Sequence, residues 1–500
     1  MTTEPAKGAS LAHQALYSIL ATGVQGLLRL LYSILVGRFG SPTLLGHANT
    51  ALSLGVFSSY FWAVPAGTAG TKYVAMAKED PDTAVDPAEL DEHRLMQAVS
   101  PAQVARAVAV QAAIVSVVVA VLCGVIAKVI LGFDALQSIL VVLLCWVYSV
   151  YSVTRGIRFG RNQAKNVALW DGISAVVALL VLGAVLLTSA NPLILVPAIV
   201  SYGMFALANW PRGPVGNPRL PARQRREIRR FIGFFALGAV ASGGLVQLSQ
   251  LAAYHYTGSA GAGTYAAALS LATPASMLSS ALGSVLVPRL AAAAAAGDRA
   301  AVHTQSDLVT RQLITVFVAI FGSLTVISPT LMLVLYGRAY SSSAAVLSIL
   351  LVAVLFLTVG VSANMTLNAT VVNGARTTAI LNVIGLVIGV ASWPLLVLID
   401  PLPGVAAGLL LGAVVPSIGA LLVVWRTERH RWAGLVLRLL GGIAALIGLA
   451  LLTRNITGGL GVLAQLGAAL VFLAGWVIVS RKDVVTLLGG LGGMLRKRAG

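Results

Sequence analysis

The sequence has few charged residues and almost no cysteine, and each shortage excludes a class of protein. Only 10% of its 500 residues are Asp, Glu, Lys or Arg, whereas a soluble domain has about a quarter. A water-soluble globule, a disordered chain and a nucleic-acid-binding protein are therefore excluded. Cys123 and Cys145 both lie in apolar runs, which leaves no disulfide framework and no zinc signature. The sequence also has no nucleotide-binding motif, so we expect no cofactor.

Hydrophobic residues make up 58% of the chain, and its mean hydropathy is +0.90. A helix needs about 20 apolar residues to cross a bilayer. Windows of that length predict an all-α polytopic membrane protein with about fourteen transmembrane helices. The predicted spans are 12–36, 43–67, 103–130, 135–154, 166–188, 192–210, 231–255, 263–287, 309–335, 342–367, 377–399, 402–425, 433–453 and 458–480. No cleavable signal peptide is expected before the first span.

The distribution of Lys and Arg predicts the orientation of these spans. With the N-terminus in the cytoplasm, 29 of the 34 basic residues fall on the cytoplasmic side, and only Arg38, Lys128, Arg338 and Arg454 fall outside. This bias is typical of membrane proteins and predicts that both termini are cytoplasmic. The outer connections are short, and their only acids are Asp134 and Asp400. An enzyme acting on lipid-linked sugars outside the cell would need more carboxylates there, so we expect a protein that is not an enzyme.

An internal repeat relates the two halves of the chain. The segment 46–54 (GHANTALSL) matches 263–271 (GTYAAALSL) at five of nine positions, with an offset of 217 residues. Because 217 residues hold six predicted spans, the halves are predicted to be parallel six-helix repeats. The expected organisation is a first bundle at 1–210, a cytoplasmic Arg/Pro-rich linker at 211–230, a second bundle at 231–425, two appended helices at 426–480 and a basic tail at 481–500.

Two soluble segments stand out between the spans. The linker 211–230 contains seven arginines and is expected to lie against anionic headgroups. The segment 79–92 holds seven of the sixteen acidic residues. It is interpreted as a solvated cytoplasmic loop with a short helix, and regulation or partner binding is the alternative.

Arg29 is the clearest charged residue predicted inside the membrane. A charge at the centre of a transmembrane helix costs about 2.5–3.5 kcal/mol on insertion scales, so such a residue indicates function by default. Gln25, Tyr32 and Ser33 share its helical face at spacings of three and four residues. We therefore predict that this face binds substrate, and a snorkelling or structural arginine is the alternative.

Other polar side chains predict a cavity between the two halves. Asn49 and Ser53 share one face of span 2, and Gln247, Gln250 and Tyr254 follow helical spacing in span 7. Each of these residues alone is more typical of a helix–helix hydrogen bond. Together with Arg29 they indicate a cationic cavity that suits an anionic cargo, because a guanidinium binds phosphate with two hydrogen bonds.

Carboxylates are nearly absent from the predicted spans. Asp171 lies one turn inside the cytoplasmic end of span 5 and is interpreted as an interfacial residue. Asp171 and His255 are the candidates for coupling transport to an ion. Antiporters that export cationic drugs usually need a buried acid, so this scarcity favours an anionic substrate.

The chain resembles the polysaccharide flippases of the multidrug/oligosaccharidyl-lipid/polysaccharide exporter superfamily, which are related to the lipid II flippases. The resemblance rests on the 6+6+2 arrangement of spans and on the residues Gln25…Arg29…Val36-Gly-Arg-Phe-Gly40…Gly46…Ala51-Leu-Ser-Leu54. It implies two six-helix bundles around a central cationic cavity, with a groove for a polyprenyl tail between spans 13 and 14. Lipid II flippases usually have further arginines in spans 2 and 8, where this chain has Asn49 and Thr264–Tyr265.

These observations predict a flippase that moves a polyprenyl-(pyro)phosphate-linked saccharide across a bacterial plasma (inner) membrane by alternating access. Expected partners are the lipid-linked glycan, membrane lipid and possible glycan polymerases or glycosyltransferases, with no nucleic acid. Two alternatives stay open: an ion-coupled small-molecule or drug antiporter, and a non-transporting partner of a glycan-assembly complex.

Overall fold

The computed structural model is helical over most of the residues that it describes. The described residues are 4–77, 96, 99–212, 220–295, 298–370, 374–430, 432–453 and 458–487, and they contain no strand. The helices are α1 (Glu4–Phe39), α2 (Pro42–Ser59), α3 (Ala63–Met76), α4 (Pro101–Val129), α5 (Ala135–Gly160), α6 (Ala164–Leu187), α7 (Val196–Asn209), α8 (Ala222–Ala295), α9 (Arg299–Val326), α10 (Ser328–Leu335), α11 (Ala344–Thr370), α12 (Gly374–Leu396), α13 (Pro401–Glu428), α14 (Ala433–Thr453) and α15 (Gly458–Val479).

Local sequence signals explain where several helices begin. Ser41, Ser100 and Asp134 each accept a hydrogen bond from the backbone N–H three residues later, ahead of α2, α4 and α5. Proline occupies the first turn of α2 and α4, where its missing N–H leaves no helical hydrogen bond unmade. The Ser100 cap is a full capping box, because the Gln103 side chain accepts a hydrogen bond from the Ser100 backbone N–H.

The chain divides into two compact units, Met1–Gly263 and Thr264–Gly500. In the first unit, α5 packs against α2, α3, α4 and α7, and α1 packs against α6. In the second unit, α13 packs between α11 and α12, and α9 contacts α11, α14 and α15.

Span 2, predicted as one helix, consists of two helices. Helix α2 ends at Ser59, and the backbone N–H groups of Tyr60, Phe61 and Trp62 bond three residues back before α3 begins at Ala63. Pro65 in the first turn of α3 cannot donate the backbone hydrogen bond that a continuous helix needs there. The break lies midway along the segment 42–76.

Predicted spans 7 and 8 both lie within α8, whose helical backbone is interrupted at Gly258. Gly258 has φ +71°, a left-handed conformation that glycine adopts without a steric penalty. Among the described residues, twelve helices are long and apolar enough to cross a membrane, and α8 counts as one of them. The chain is thus a multi-pass membrane protein, whereas the count of fourteen spans and the orientation stay predictions.

The second half of the predicted cytoplasmic linker forms the first turns of α8. Ile228 and Ile232 are buried in a core cluster with residues of α3 and α4. Arg225, Arg226 and Arg229 face outward from the same helix and are exposed. The described part of the linker is therefore an amphipathic helix continuous with span 7, while residues 213–219 lie outside the described part of the chain, as does the acidic segment 79–92.

A self-complementary contact supports the internal repeat. A Cβ on Gly46 would lie 1.9 Å from the carbonyl oxygen of Ser259, and a Cβ on Gly263 would lie 1.8 Å from that of Pro42. Gly46 and Gly263 are 217 residues apart, and so are Pro42 and Ser259. Equivalent positions of the repeat therefore exchange the same backbone contact, which only glycine permits.

Candidate functional site

Arg29 projects from α1 toward two tyrosines of the first unit. Its Nε donates a hydrogen bond to the Tyr202 hydroxyl at 3.4 Å, and its Nη2 donates to the Tyr148 hydroxyl at 3.3 Å. The guanidinium carbon lies 5.7 Å from the centre of the Tyr148 ring, a distance that suits a cation–π contact. Tyr148 and Tyr202 also touch each other edge to face at 4.9 Å, so α5 and α7 jointly position the arginine.

Within the described part of the chain, no acid forms an ion pair with the positive charge of Arg29. Among the described ion pairs none includes Arg29, and its two hydrogen-bond partners are neutral hydroxyls. The residue is exposed although it lies within a predicted span, about two turns from its end. Both hydrogen bonds are long, and a guanidinium has five N–H donors. Donors thus remain for an incoming anion.

Tyr60, at the break between α2 and α3, extends this polar group. Its hydroxyl lies near the Gln247 side chain of α8 and within electrostatic range of Arg29 and Tyr148. A Cβ on Gly243 would lie 2.8 Å from the Tyr60 hydroxyl, so this glycine makes room for the tyrosine. Tyr60 thus lies near both Arg29 and Gln247, which the sequence analysis assigns to one site.

Asp171 is the centre of a second polar cluster next to the first. Its carboxylate accepts hydrogen bonds from Gln25 Nε2 at 2.9 Å and from the Tyr151 hydroxyl at 3.1 Å. Arg155 Nε lies 3.2 Å from its other oxygen and forms an ion pair with it. Asp171 has no exposed surface, and its position at the membrane interface stays a prediction. It is buried because three donors from α1 and α5 replace water around the carboxylate.

The remaining predicted site residues on α1 and α2 have no described hydrogen bond to the Arg29 cluster. The Tyr32 hydroxyl donates to the carbonyl of Ile194 at 2.7 Å, so it joins α1 to the segment before α7. Ser33 and Ser53 are buried. The Asn49 side chain donates to the carbonyl of Leu45, one turn back on its own helix. None of these four residues has a described hydrogen bond to Arg29.

The predicted residues near the end of span 7 are also separate from Arg29. Gln250 is fully buried and donates to the carbonyl of Ala262 at 3.0 Å, on the far side of the Gly258 interruption. The Tyr254 hydroxyl donates to the carbonyl of Leu131 at 3.0 Å. His255 is exposed and touches only the neighbouring Tyr256 ring among the described ring contacts.

Sequence reasoning missed most residues of both clusters on α5 and α7. Tyr148, Tyr151 and Arg155 follow the spacing i, i+3, i+7, which places them on one helical face. That spacing could have identified them. Arg155 lies near the end of α5, with its guanidinium paired to Asp171, and its cytoplasmic side stays a prediction.

A groove lies between α14 and α15 in the second unit, at the helices that correspond to predicted spans 13 and 14. Its cavity volume is about 730 Å³, and every lining residue except Arg438 is apolar. Helix α15 is fixed to its neighbours, because Gln465 accepts a hydrogen bond from the Thr330 hydroxyl and Trp476 donates to the carbonyl of Thr315.

The described residues contain no group of three or more side chains suited to a metal ion.

Comparisons with known proteins find similarity of structure only. No protein-family model and no curated protein sequence matches the chain. The lipid II flippase MurJ in its inward closed conformation is 13% identical, with a TM-score of 0.67 over 94% of this chain and 99% of that one. An inward-facing multidrug resistance MATE family transporter of the MOP superfamily is 14% identical, with a TM-score of 0.58 over 82% and 98%.

A eukaryotic MATE transporter gives similar values, with 13% identity and a TM-score of 0.59 over 83% of this chain and 97% of that one. These alignments cover nearly the full length of the solved proteins and most of this chain. The chain therefore has the fold that the lipid II flippase MurJ and the MATE transporters share.

Proposed function

We propose that the protein is a flippase that moves a polyprenyl-(pyro)phosphate-linked saccharide from the inner to the outer leaflet of a bacterial plasma membrane. The observation that supports this proposal is Arg29, an accessible guanidinium within a membrane helix that is held by two tyrosine hydroxyls and by no described carboxylate. Keeping such a charge in the membrane is costly unless an anion compensates it during function.

Arg29 would bind the phosphate of the lipid, because a guanidinium matches phosphate oxygens with two parallel hydrogen bonds. Tyr148 and Tyr202 would orient it and release one or both long hydrogen bonds when the phosphate arrives. Tyr60 and Gln247 would hydrogen-bond the phosphate or the sugar. Only the polar head would then leave water, while the prenyl tail would stay in lipid or against α14 and α15.

The interrupted span α2–α3 favours the same substrate chemistry. A half-helix within a membrane directs the positive end of its dipole toward an anion, as in transporters with broken helices. Helix α3 begins three residues after Tyr60, beside the Arg29 cluster. Its first backbone N–H groups would therefore add to the attraction of the guanidinium.

A second candidate function is ion-coupled export of small molecules, the activity class of the multidrug resistance MATE transporter with the same fold. Asp171 favours this alternative, because a fully buried carboxylate could exchange a proton or a cation during transport. In the described state, however, Arg155, Gln25 and Tyr151 occupy its oxygens. Transport rather than catalysis is part of both proposals.

A third candidate is a non-transporting partner of glycan polymerases or glycosyltransferases that acts through the acidic segment 79–92. Deleting that segment would then abolish function while Arg29→Ala would not. The flippase proposal predicts the reverse, because the polar head would be bound by the first unit.

The first test measures binding of a polyprenyl-pyrophosphate saccharide to the purified protein by native mass spectrometry. Arg29→Ala should weaken binding by roughly 10-fold or more, since it removes hydrogen bonds to a charged group. Arg38→Ala is the matched control, because Arg38 is an exposed arginine on the same helix. Equal binding by wild type and Arg29→Ala would contradict the proposal, and absence of binding by either would favour the antiporter.

A further inference from the structure

The start of α8 carries a large excess of positive charge. Its first nine residues contain one acid, Glu227, and five exposed arginines: Arg223, Arg225, Arg226, Arg229 and Arg230. The backbone N–H groups at the start of a helix already carry partial positive charge, so acids stabilise a helix there and arginines do not. The stability of the helix therefore does not explain these arginines. An external anion would reduce their mutual repulsion.

Three of the arginines lie in line with two large apolar side chains. Spacings of three and four residues place one exposed row on a single helical face: Arg223, Arg226, Arg230, Phe234 and Leu237. We call this row the Arg–Phe stripe. Phe234 is 69% exposed and Leu237 is 72% exposed. The guanidinium carbon of Arg230 lies 6.0 Å from the centre of the Phe234 ring. The stripe thus changes from charged to apolar within one turn, as a helix does where it passes from headgroups into hydrocarbon.

The opposite face of α8 holds the stripe in position. Ile228 and Ile232 are buried in a core cluster with residues of α3 and α4. Next to them, the Phe231 ring packs edge to face against the Tyr73 ring of α3, with ring centres 5.5 Å apart. These contacts determine the rotation of α8 about its axis, so the stripe faces away from the protein. A ligand would therefore meet arginines and apolar side chains that are already arranged on one surface.

We infer that the Arg–Phe stripe is a docking site for an anionic phospholipid. The lipid phosphate binds Arg226 and Arg230, and an acyl chain lies against Phe234 and Leu237. A soluble anion would use only the arginines, whereas a lipid also covers the exposed apolar side chains that continue the row. A headgroup with a net negative charge, such as phosphatidylglycerol, fits better than a zwitterionic one, because a choline or ammonium group would be repelled by the arginines.

The test measures binding of phosphatidylglycerol to the purified full-length protein in detergent by native mass spectrometry. The double variant Arg226→Gln/Arg230→Gln should weaken this binding roughly 10- to 30-fold, since each basic residue near a headgroup contributes about a factor of five. Phosphatidylcholine should bind more weakly than phosphatidylglycerol and should not distinguish the variant from wild type. Equal binding of the two lipids by wild type would overturn the inference.

A second double variant is the matched control. Arg225→Gln/Arg229→Gln removes the same charge from the same turns of α8, but the next positions on that face are Gly233 and Ala236. It should weaken phosphatidylglycerol binding by less than about 3-fold, because exposed charges away from the phosphate are screened by salt. Equal losses in the two double variants would show a diffuse attraction to the basic surface and would overturn the assigned site.

Phe234→Ser tests whether the ligand has an acyl chain on the stripe. It should weaken phosphatidylglycerol binding about 5-fold, because apolar contact is lost. Leu207→Ser is the control, since Leu207 on α7 is also 69% exposed and lies outside the stripe. Unchanged binding by Phe234→Ser would overturn the lipid assignment in favour of a soluble anion.

This inference is independent of the proposed function, because the stripe uses none of the residues of the Arg29 cluster. Arg29→Ala should leave phosphatidylglycerol binding unchanged, and the Arg226→Gln/Arg230→Gln variant should still bind the saccharide lipid. The two proposals can therefore fail separately. Loss of phosphatidylglycerol binding in Arg29→Ala would contradict the assignment of this lipid to the stripe.

Discussion

At the scale of single residues, the first unit contains two arginines with opposite environments. Arg155 is paired with a buried carboxylate, whereas Arg29 has only hydroxyl partners among its described hydrogen bonds. A paired guanidinium stabilises the structure, and an unpaired accessible one is available to a ligand. This difference gives the two arginines distinct expected phenotypes.

Removing Arg155 should destabilise the protein strongly. Arg155→Gln leaves the Asp171 carboxylate buried without its counter-ion, at a cost of about 3 kcal/mol, the low end for a buried pair because Arg155 is partly exposed. Thermal unfolding in detergent measures this effect. The double variant Arg155→Gln/Asp171→Asn should recover most of the loss, and no recovery would show that Arg155 stabilises the fold through other contacts.

His430 should make stability depend on pH. It lies between α13 and α14, stacked on Trp432 with ring centres 4.4 Å apart and 4.2 Å from the His303 ring. Burial, helped by His303 and Arg311 and opposed by Asp307, lowers the pKa of His430 to about 4 from an ordinary 6.5. As pH falls, His430 is therefore protonated at a higher pH in the unfolded chain than in the folded one. The free energy of unfolding should decrease as pH falls from about 6.5 to about 4.

Thermal unfolding from pH 7 to pH 4 checks this prediction by comparing wild type with His430→Gln. The variant should lose part of the pH dependence in that window. His255→Gln is the control, because His255 is exposed and distant in sequence from that cluster. An identical pH profile for wild type and His430→Gln would contradict the assignment.

At the scale of helices, close packing depends on glycine at particular crossings. A Cβ on Gly156 of α5 would lie 2.1 Å from the carbonyl oxygen of Gly67 in α3, and the Thr71 hydroxyl donates to the carbonyl of Gly156 at 2.9 Å. The crossing of α2 with α8 at Gly46 is equally tight. Small residues allow backbones to approach in this way when lipid provides no hydrophobic driving force.

Gly46→Ala should therefore separate α2 from α8 and cost about 1–3 kcal/mol, the usual range for overpacking. Gly263→Ala should have a similar effect, because the two positions exchange the same contact. Thermal unfolding measures both variants against Gly23→Ala, whose Cβ would meet nothing within 4 Å. A loss at one glycine only would contradict the equivalence of the two repeats.

Helix positions were predictable because the length of an apolar run directly indicates a membrane helix. The predicted bounds 433–453, for example, agree with those of α14. The break at Tyr60 was not predictable, because the sequence on both sides of it is as apolar as that of an unbroken span. The interruption at Gly258 was hidden for a different reason. Gly258 is one of 51 glycines, and the sequence does not indicate which of them adopts a left-handed backbone.

The candidate site was only partly predictable for a related reason. Arg29 is visible in the sequence because a charge inside an apolar run is rare. Its partners Tyr148 and Tyr202 lie 119 and 173 residues away in the sequence, on helices whose rotational orientation is determined by tertiary packing. The sequence could not show whether a polar residue such as Asn49 contacts a ligand. A side chain that hydrogen-bonds to its own helix can have the same sequence spacing as one that faces a cavity.

At the scale of the whole molecule, the proposed transport can be driven by the membrane potential. A pyrophosphate head that carries two negative charges outward gains about 4.6 kcal/mol at 100 mV, inside negative. In proteoliposomes, flipping of the saccharide lipid should accelerate when a potassium diffusion potential is imposed and should need no ATP. A rate that is insensitive to potential but follows a proton or sodium gradient would favour ion coupling instead.

The reciprocal contact of Gly46 and Gly263 also affects how the chain is made. Its two sides are separated by 217 residues, and at about 5–20 residues per second the ribosome needs roughly 10–40 s to supply the second side after the first. During that interval the glycine face of α2 has no partner in the nascent chain. Lipid or a membrane insertion factor must cover that face until α8 is synthesised, so maturation of the first unit has to wait for the beginning of the second repeat.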